Sequence, residues 1–410
     1  MKESTRIVTA LVAAVGGGIL IAASGNESLV KAADALVPIG TIWVNAIRMT
    51  VIPLVVALIV TGIASATDMK TIGNLGGRTL IVFLILLAGM AVLVMPIAPS
   101  VFAMFPEGAR PPLPPGAAEA AAQLAADPKQ TFAGWLTSLI PTNPIAAAAN
   151  GSMVSLVIFT ILAALAITRA APATRTTLVE LFRAISETML VLVRWIVLLA
   201  PIGIFAMLLP LAAHAGTSLA GAIGLYIAAY SALTIAMILV VYPVVAVWGK
   251  TPMRTFARAA LPAQLIAFTS SSSVASLPAL VESAEKGLNL PKRVTGFVLP
   301  IAVSMFKLAA PVSWTVGALF IGWFYNIPIG IQELGIVAFT AVFLSFAGPG
   351  VPRGAFIILT PMFVQIGLPP EGIGILIAID AIPDTFATVL NVTGDLGAAT
   401  IVAKGEHETT

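Results

Sequence analysis

The sequence contains no cysteine and only two histidines, His214 at an expected helix end and His407 in the tail, which excludes disulfides, thiolate metal sites and a buried histidine relay. Charge is scarce too: Asp, Glu, Lys and Arg make up 10% of 410 residues, whereas soluble domains carry about 25%. The alternating segments of about ten residues that build an outer-membrane barrel are missing. Basic residues are not interleaved with aromatics, so nothing points to nucleic acid. What is present is apolar, with 59% hydrophobic residues and a mean hydropathy of +1.04. The chain reads as an integral membrane protein of the all-α class. Its apolar runs are broken by 34 glycines and 29 prolines, and helices are the way to satisfy such a backbone in lipid.

The net charge of +3 matters less than the placement of the charges. Lys2 and Arg6 precede the first apolar run, which is too long and too lacking in a cleavage site to be a removed signal peptide. Further basic groups are Lys70 with Arg78, Arg169 to Arg183, Lys250 to Arg258, Lys286 to Arg293, and Lys404. Alternate loops carry only Lys31, Arg110 and Lys129, which assigns the richer set to the cytoplasm and puts both termini inside. A bacterial inner membrane is the expected location.

Apolar spans are expected at about 6–24, 36–66, 79–98, 134–168, 177–212 and 216–248. Several exceed the ~20 residues needed to cross, which implies tilt or kinks, and Pro53, Pro141, Pro144 and Pro201 interrupt three of them. Residues 99–132 read as a Pro- and Ala-rich exterior loop. The last third differs. Residues 255–283 hold two apolar arms around Thr269-Ser-Ser-Ser-Ser273, and residues 330–366 hold two arms around Phe346-Ala-Gly-Pro-Gly-Val-Pro-Arg-Gly354. Each arm is too short to span comfortably, so both segments read as re-entrant hairpins, and paired interrupted segments of this kind point to a transporter binding site. A serine run alone is more often a flexible loop or a packing face; its position between apolar arms is what changes the reading.

Between Asp380 and Asp395, three carboxylates stand inside an apolar segment. At ~100° per residue, Asp380, Asp384, Thr388, Asn391 and Asp395 fall within ~80° of one helix face. A charge at the bilayer centre costs ~2.5 kcal/mol or more, so the stripe must face partners, water, ions or a ligand. A transport site is the leading reading, and a structural ion-pair network between packed helices is the alternative.

These pieces together resemble the dicarboxylate/amino acid:cation symporter family. The likeness runs through Ile47-Arg-Met, Pro53-Leu54, Ile140-Pro-Thr-Asn-Pro144, Ala200-Pro-Ile-Gly-Ile-Phe205, the serine-rich tip, Lys292 to Pro300, Gly350-Val-Pro352 and Asn391-Val-Thr-Gly-Asp395. The resemblance implies eight transmembrane helices plus two re-entrant hairpins, assembled as a homotrimer of elevator transporters. It implies a scaffold at 1–76 and 133–213, and a moving transport domain at 77–98 and 214–404. The exterior loop at 99–132 and a tail at 405–410 complete the division. Carried over by position, Ser272, Ser273, backbone groups around Val351 and Gly354, Thr388 and Asn391 would hold a substrate carboxylate and its surroundings, and Asp384 would pair with an amino group. No cofactor, resident metal or enzymatic activity is implied; the partners are a small amino acid or dicarboxylate and the bilayer.

The departures from the family pattern are more telling. Ala387 stands where acidic amino acid transporters of the family carry an arginine, and a methyl group cannot replace a bidentate guanidinium. A neutral side chain therefore fits better, unless Arg353 at the second tip supplies a cation from the other side. The family's sodium-binding Asn-Met-Asp-Gly-Thr is here Phe306-Lys-Leu-Ala-Ala310, and the third span reads Ile85-Leu-Leu-Ala-Gly-Met-Ala91 where the family adds oxygen ligands. Sodium, a hard cation, has nothing to bind in such side chains. Lys307 stands about where the sodium sites cluster, with Asp395, Asp384 and Asp380 as expected partners. An ammonium there can neutralise carboxylates from a fixed tether. Burial favours its neutral form and nearby carboxylates its charged form, so coupling to protons and simple exchange are both open; a purely structural salt bridge is the alternative. An anion channel or a transport-dead sensor on the same scaffold is the competing class. An intramembrane hydrolase is disfavoured, because the serine run lacks a membrane histidine and the carboxylates share one helix.

Overall fold

A computed structural model describes residues 3–66, 73–105, 137, 139–150, 152–345, 359 and 362–407, and among them every regular element is helical. The first group comprises α1 (Glu3–Ser24), α2 (Glu27–Asp34), α3 (Val37–Ala66), α4 (Gly73–Phe102), α5 (Pro144–Ala149), α6 (Met153–Arg169), α7 (Pro172–Leu198) and α8 (Ala200–Ala215). The rest are α9 (Thr217–Trp248), α10 (Met253–Ser270), α11 (Ser273–Glu282), α12 (Lys292–Met305), α13 (Ala310–Phe324), α14 (Ile331–Leu344), α15 (Glu371–Ile379) and α16 (Pro383–His407). Five of these segments, or six if one bent pair counts as a single span, are long and apolar enough to cross a membrane.

Local chemistry sets the breaks. Asn26 caps α2 by accepting from the Ser28 N–H at 3.0 Å. Asn143 caps α5 through the N–H groups of Ile145 and Ala146, with Pro144 pre-set for the first turn. The span expected at 177–212 is two helices meeting at 52°, where Pro201 in the first turn of α8 cannot continue the backbone bonding of α7. Likewise the span expected at 134–168 is divided into α5 and α6.

The helices pack in two sets. In one, α1 and α3 lie on α8, α3 also packs on α7 and α6, and α2 caps α8. In the other, α16 is surrounded by α4, α9, α10 and α12, while α13 and α14 lie on α4. Helix α15 touches α8, α1 and α3 of the first set, and its Gly372 lies against Ile321 of α13 in the second, so it joins the sets. α16 is the axis of the second set, with almost every side chain from Ala387 to Ala403 buried.

Trp43 pins the first set. Its indole N–H donates to the Ile196 carbonyl at 3.1 Å, a bond between α3 and α7, and a Cβ at Gly203 would lie 2.2 Å from the ring. Gly203 is thus needed for the close approach of α8. Gly203→Val should lower stability by about 1–3 kcal/mol, as overpacking does. Thermal unfolding of the purified protein checks this; an unchanged midpoint would mean that the ring is not held in place.

Candidate functional site

Helix α16 starts at Pro383, so Asp380 lies in the turn at 380–382 that follows α15 and not on the α16 face where the stripe placed it. Proline cannot donate to the ladder, which favours the first turn of a helix over its interior. The break is slight, since the Asp384 N–H still donates to the Asp380 carbonyl at 2.8 Å. Asp380 is buried within electrostatic reach of Tyr226 and Tyr230 on α9. Asp384, half-buried in the first turn of α16, Ala387, Thr388, Asn391 and Asp395 do share one side of the helix. Thr388 donates its hydroxyl back to the Asp384 carbonyl at 2.8 Å, so its proton is engaged within the helix.

The serine-rich segment forms the turn between α10 and α11, as a hairpin requires. Ser271 takes φ +48°, the left-handed conformation that costs an L-residue its comfort and reverses the chain in one step. Ser272 caps α11, accepting from the Ala275 N–H at 3.2 Å, and Ser273 opens the helix half-buried. Two links fix this tip and its arm to α16. Ser271 and Thr385 share a hydrogen bond of 3.0 Å between their hydroxyls, and Phe268 meets Phe386 edge-on with centroids 5.7 Å apart. Val351, Arg353 and Gly354, expected at the second tip, lie outside the described residues; its first arm is α14.

The segment read as the seventh helix is interrupted. Helix α12 ends at Met305 and α13 begins at Ala310; the Phe306 N–H still donates to the Ala302 carbonyl at 2.8 Å and the Ala310 N–H to the Lys307 carbonyl at 2.9 Å, so 306–309 form a short break between the two helices. Asn391 supports the break by accepting from the Ala309 N–H at 2.8 Å. Phe306 is fully buried and stacks on Phe83 of α4, with centroids 4.3 Å apart and planes 12° from parallel. The stack fills the space between α4 and the break with carbon.

Lys307 follows directly. Its Nζ donates to the Val303 carbonyl at 2.6 Å, and the carboxylates acting on it are Asp395 first and Asp384 second. Asp380 is not among them. Asp395 is fully buried, and neither of its oxygens accepts a hydrogen bond among the described residues. The lysine is therefore an electrostatic neighbour of Asp395 and not a hydrogen-bonded one. An isolated buried carboxylate costs many kcal/mol, and an ammonium at Lys307 is one way to offset that cost.

Three polar residues that link the helices are not singled out individually by the sequence. The Gln264 amide donates to Thr393 Oγ1 at 2.8 Å and to the Tyr242 hydroxyl at 3.0 Å, tying α10, α16 and α9 together. Gln264 sits in an apolar arm with no motif around it; only its being a lone amide in such a run sets it apart. Ser271 and Thr385 were likewise not distinguished from their neighbours.

Comparison with known proteins adds a second line. The model of the family described as "Sodium:dicarboxylate symporter family" matches residues 4–405. The chain is 28% identical over 389 residues to the proton/glutamate-aspartate symporter of Escherichia coli strain K12, covering 92% of this chain and 86% of that protein. It is 29% identical over 412 residues to the proton/sodium-glutamate symport protein of Bacillus subtilis strain 168, covering 98% and 92%. A C4-dicarboxylate transport protein of Brucella anthropi is 26% identical over 404 residues, covering 96% and 88%.

If the ammonium compensates Asp395, Lys307→Ala should cost about 3–5 kcal/mol, the penalty for stripping one partner from a buried charge pair. Adding Asp395→Asn should recover most of that loss. Unfolding midpoints of the single and double variants in detergent give the answer, and a stable Lys307→Ala protein would show that Asp395 does not depend on the lysine.

Proposed function

The chain belongs to the sodium:dicarboxylate symporter family, and on that premise we propose that it is a sodium-independent secondary active transporter of a small neutral amino acid, with Lys307 in place of a bound sodium ion. It is a multi-pass membrane transporter and not an enzyme. The observation that carries the coupling half of this reading is the buried Asp395 carboxylate beside Lys307, flanked by the Phe83–Phe306 stack. Where the resemblance puts oxygen ligands, Phe306 and Leu308 offer carbon, and a hard cation gains nothing from carbon. A tethered ammonium supplies the positive charge instead.

The substrate half rests on α16. Asp384 is the carboxylate for an ammonium group, and the Asn391 amide, whose oxygen is taken by Ala309, retains its NH2 as a donor for a carboxylate. Ser272 and Ser273 at the tip, with backbone groups near Val351 and Gly354, complete the headgroup site in this proposal. Thr388 stiffens the helix between Asp384 and Asn391. Ala387, buried on the same side, leaves apolar room for a neutral side chain. Protons are the preferred coupling ion, in line with the proton symport named for the Escherichia coli relative; exchange is the other mode.

A second reading has its own support, because the relatives named above are glutamate, aspartate and C4-dicarboxylate transporters. In it, Arg353 supplies the cation that Ala387 lacks, and the substrate is acidic. For both readings we place the protein in the inner membrane with cytoplasmic termini, as a homotrimer whose domain at 77–98 and 214–404 moves against a scaffold at 1–76 and 133–213. Eight spans and two hairpins belong to the same proposal.

Uptake of labelled alanine, serine, glutamate, aspartate and succinate into proteoliposomes, with and without sodium and with an imposed pH gradient, tests the proposal. Saturable neutral amino acid uptake without sodium is expected, and strong sodium-dependent uptake would overturn the coupling. Asp384→Asn should weaken amino acid uptake at least tenfold, the loss of about 1.4 kcal/mol or more from one charge-assisted contact. Amino acid transport that survives it would remove Asp384 from the substrate site.

A further inference from the structure

A cavity lies between α4, α9 and α16, with Leu308 and Gly394, the neighbours of Lys307 and Asp395, among its lining. It has a volume of about 190 Å3 and is lined almost wholly by carbon, with Gly89 and Met90 on one wall, Val244 and Trp248 on another, and Gly397 and Ile401 on the third. It reaches the outer face of the protein, since Ile85 and Leu93 on its α4 wall are 49% and 41% exposed. Apolar cavities of about 150 Å3 stay dry and take apolar guests. In a membrane the guest at hand is an acyl chain.

Glycine makes the space. A Cβ at Gly397 would sit 2.9 Å from Val245 Cγ2, so α16 can approach α9 only without a side chain there, whereas a Cβ at Gly89 would meet nothing within 4 Å. The open volume is thus in front of Gly89.

Cations gather at one end of the cavity. Arg78 precedes Ile85 by two helical turns and Lys404 follows Ile401 by one, so both share the faces of the lining residues. Lys250 follows Trp248 just past the end of α9. That end is held against α16, because a Cβ at Gly249 would lie 3.1 Å from Thr400 Cγ2. The start of α4 and the ends of α9 and α16 therefore bring three cations to the same rim, with an indole at the boundary, which is where aromatic rings sit between lipid tails and headgroups. Exposed Lys250 and half-buried Arg78 and Lys404 match an anionic phosphate, not a zwitterion.

We propose that this cavity is a binding site for one anionic phospholipid, an acyl chain filling the space before Gly89 and the phosphate resting on Arg78, Lys250 and Lys404. Native mass spectrometry of the full-length protein, released from micelles containing either phosphatidylglycerol or phosphatidylcholine, tests this. A retained phosphatidylglycerol adduct that outlasts the phosphatidylcholine one is expected, and equal retention overturns the site. Arg78→Gln with Lys250→Gln should cut the preference by about fivefold per cation, the worth of a basic residue near an anionic surface. Gly89→Leu should abolish the adduct of either lipid at this site. Should Gly89→Leu fail to fold, the charge variant decides alone, because an undiminished preference in it refutes the phosphate contacts. Displacement of the adduct by millimolar inorganic phosphate would also count against a lipid, since it would assign the cations to a free anion.

Discussion

A carboxylate sealed from water with no donor to either oxygen is costly, and the second helix set is arranged around that cost. Asp395 is fully buried in the part of α16 where nearly every side chain is buried, so water cannot solvate it. Compensation comes from a proton, a neighbouring charge or an ion. The interruption of the chain at 306–309 brings Lys307 alongside, and Asn391, one turn before Asp395, holds that interruption through the Ala309 N–H. Carboxylate, lysine, asparagine and break therefore depend on one another: without the break the lysine would lie on a helix face, and without Asn391 the break would leave a backbone donor unmet.

The Phe83–Phe306 stack decides what else can enter. Two rings at 4.3 Å occupy the contact between α4 and the break, and Leu308 packs closely against Gly394 one residue before Asp395. Such carbon lining lowers the local polarity, which raises both the penalty of a bare carboxylate and the strength of the Lys307 field on it. In the proposed reading, the same packing that denies a small cation its ligands strengthens the tethered one. Gln264, bonded to Thr393 and Tyr242, adds a polar clamp on the other side of α16, so the hairpin arm and the carboxylate helix are joined by satisfied groups.

Much of this was legible in the sequence because it rests on local signals. Polar or proline interruptions in apolar runs located the turn between α10 and α11, the break near Pro201 and the carboxylates of α16. Asp380 falls in the turn before α16, a break that a pure helical period does not register, because Pro383 restarts the helix three residues after the turn begins. Ser272 looked like a ligand residue, and its hydroxyl also serves as a helix cap, a role that depends on the φ of its neighbour Ser271. Long-range partners were not legible at all. Phe83 and Phe306 are 223 positions apart, and nothing local distinguishes a stacking phenylalanine from one facing lipid.

A tethered cation changes the energetics of the proposed cycle. Carrying one elementary charge through 100 mV is worth about 2.3 kcal/mol, and a sodium ion that binds on one side and leaves on the other adds that work to every turn. An ammonium fixed at the break between α12 and α13 crosses with the protein and returns with it, so its electrical work cancels over the full cycle. Net accumulation must then draw on something that dissociates: a proton, from Lys307 or a carboxylate, or a second substrate molecule travelling back. In the exchange case Lys307 stays charged and Asp395 stays neutralised in both directions, and the substrate gradients alone set the flux. In the proton case the field on Lys307 has to differ between the two faces of the membrane, which requires Asp384, nearest the ligand, to change its own pairing when substrate leaves.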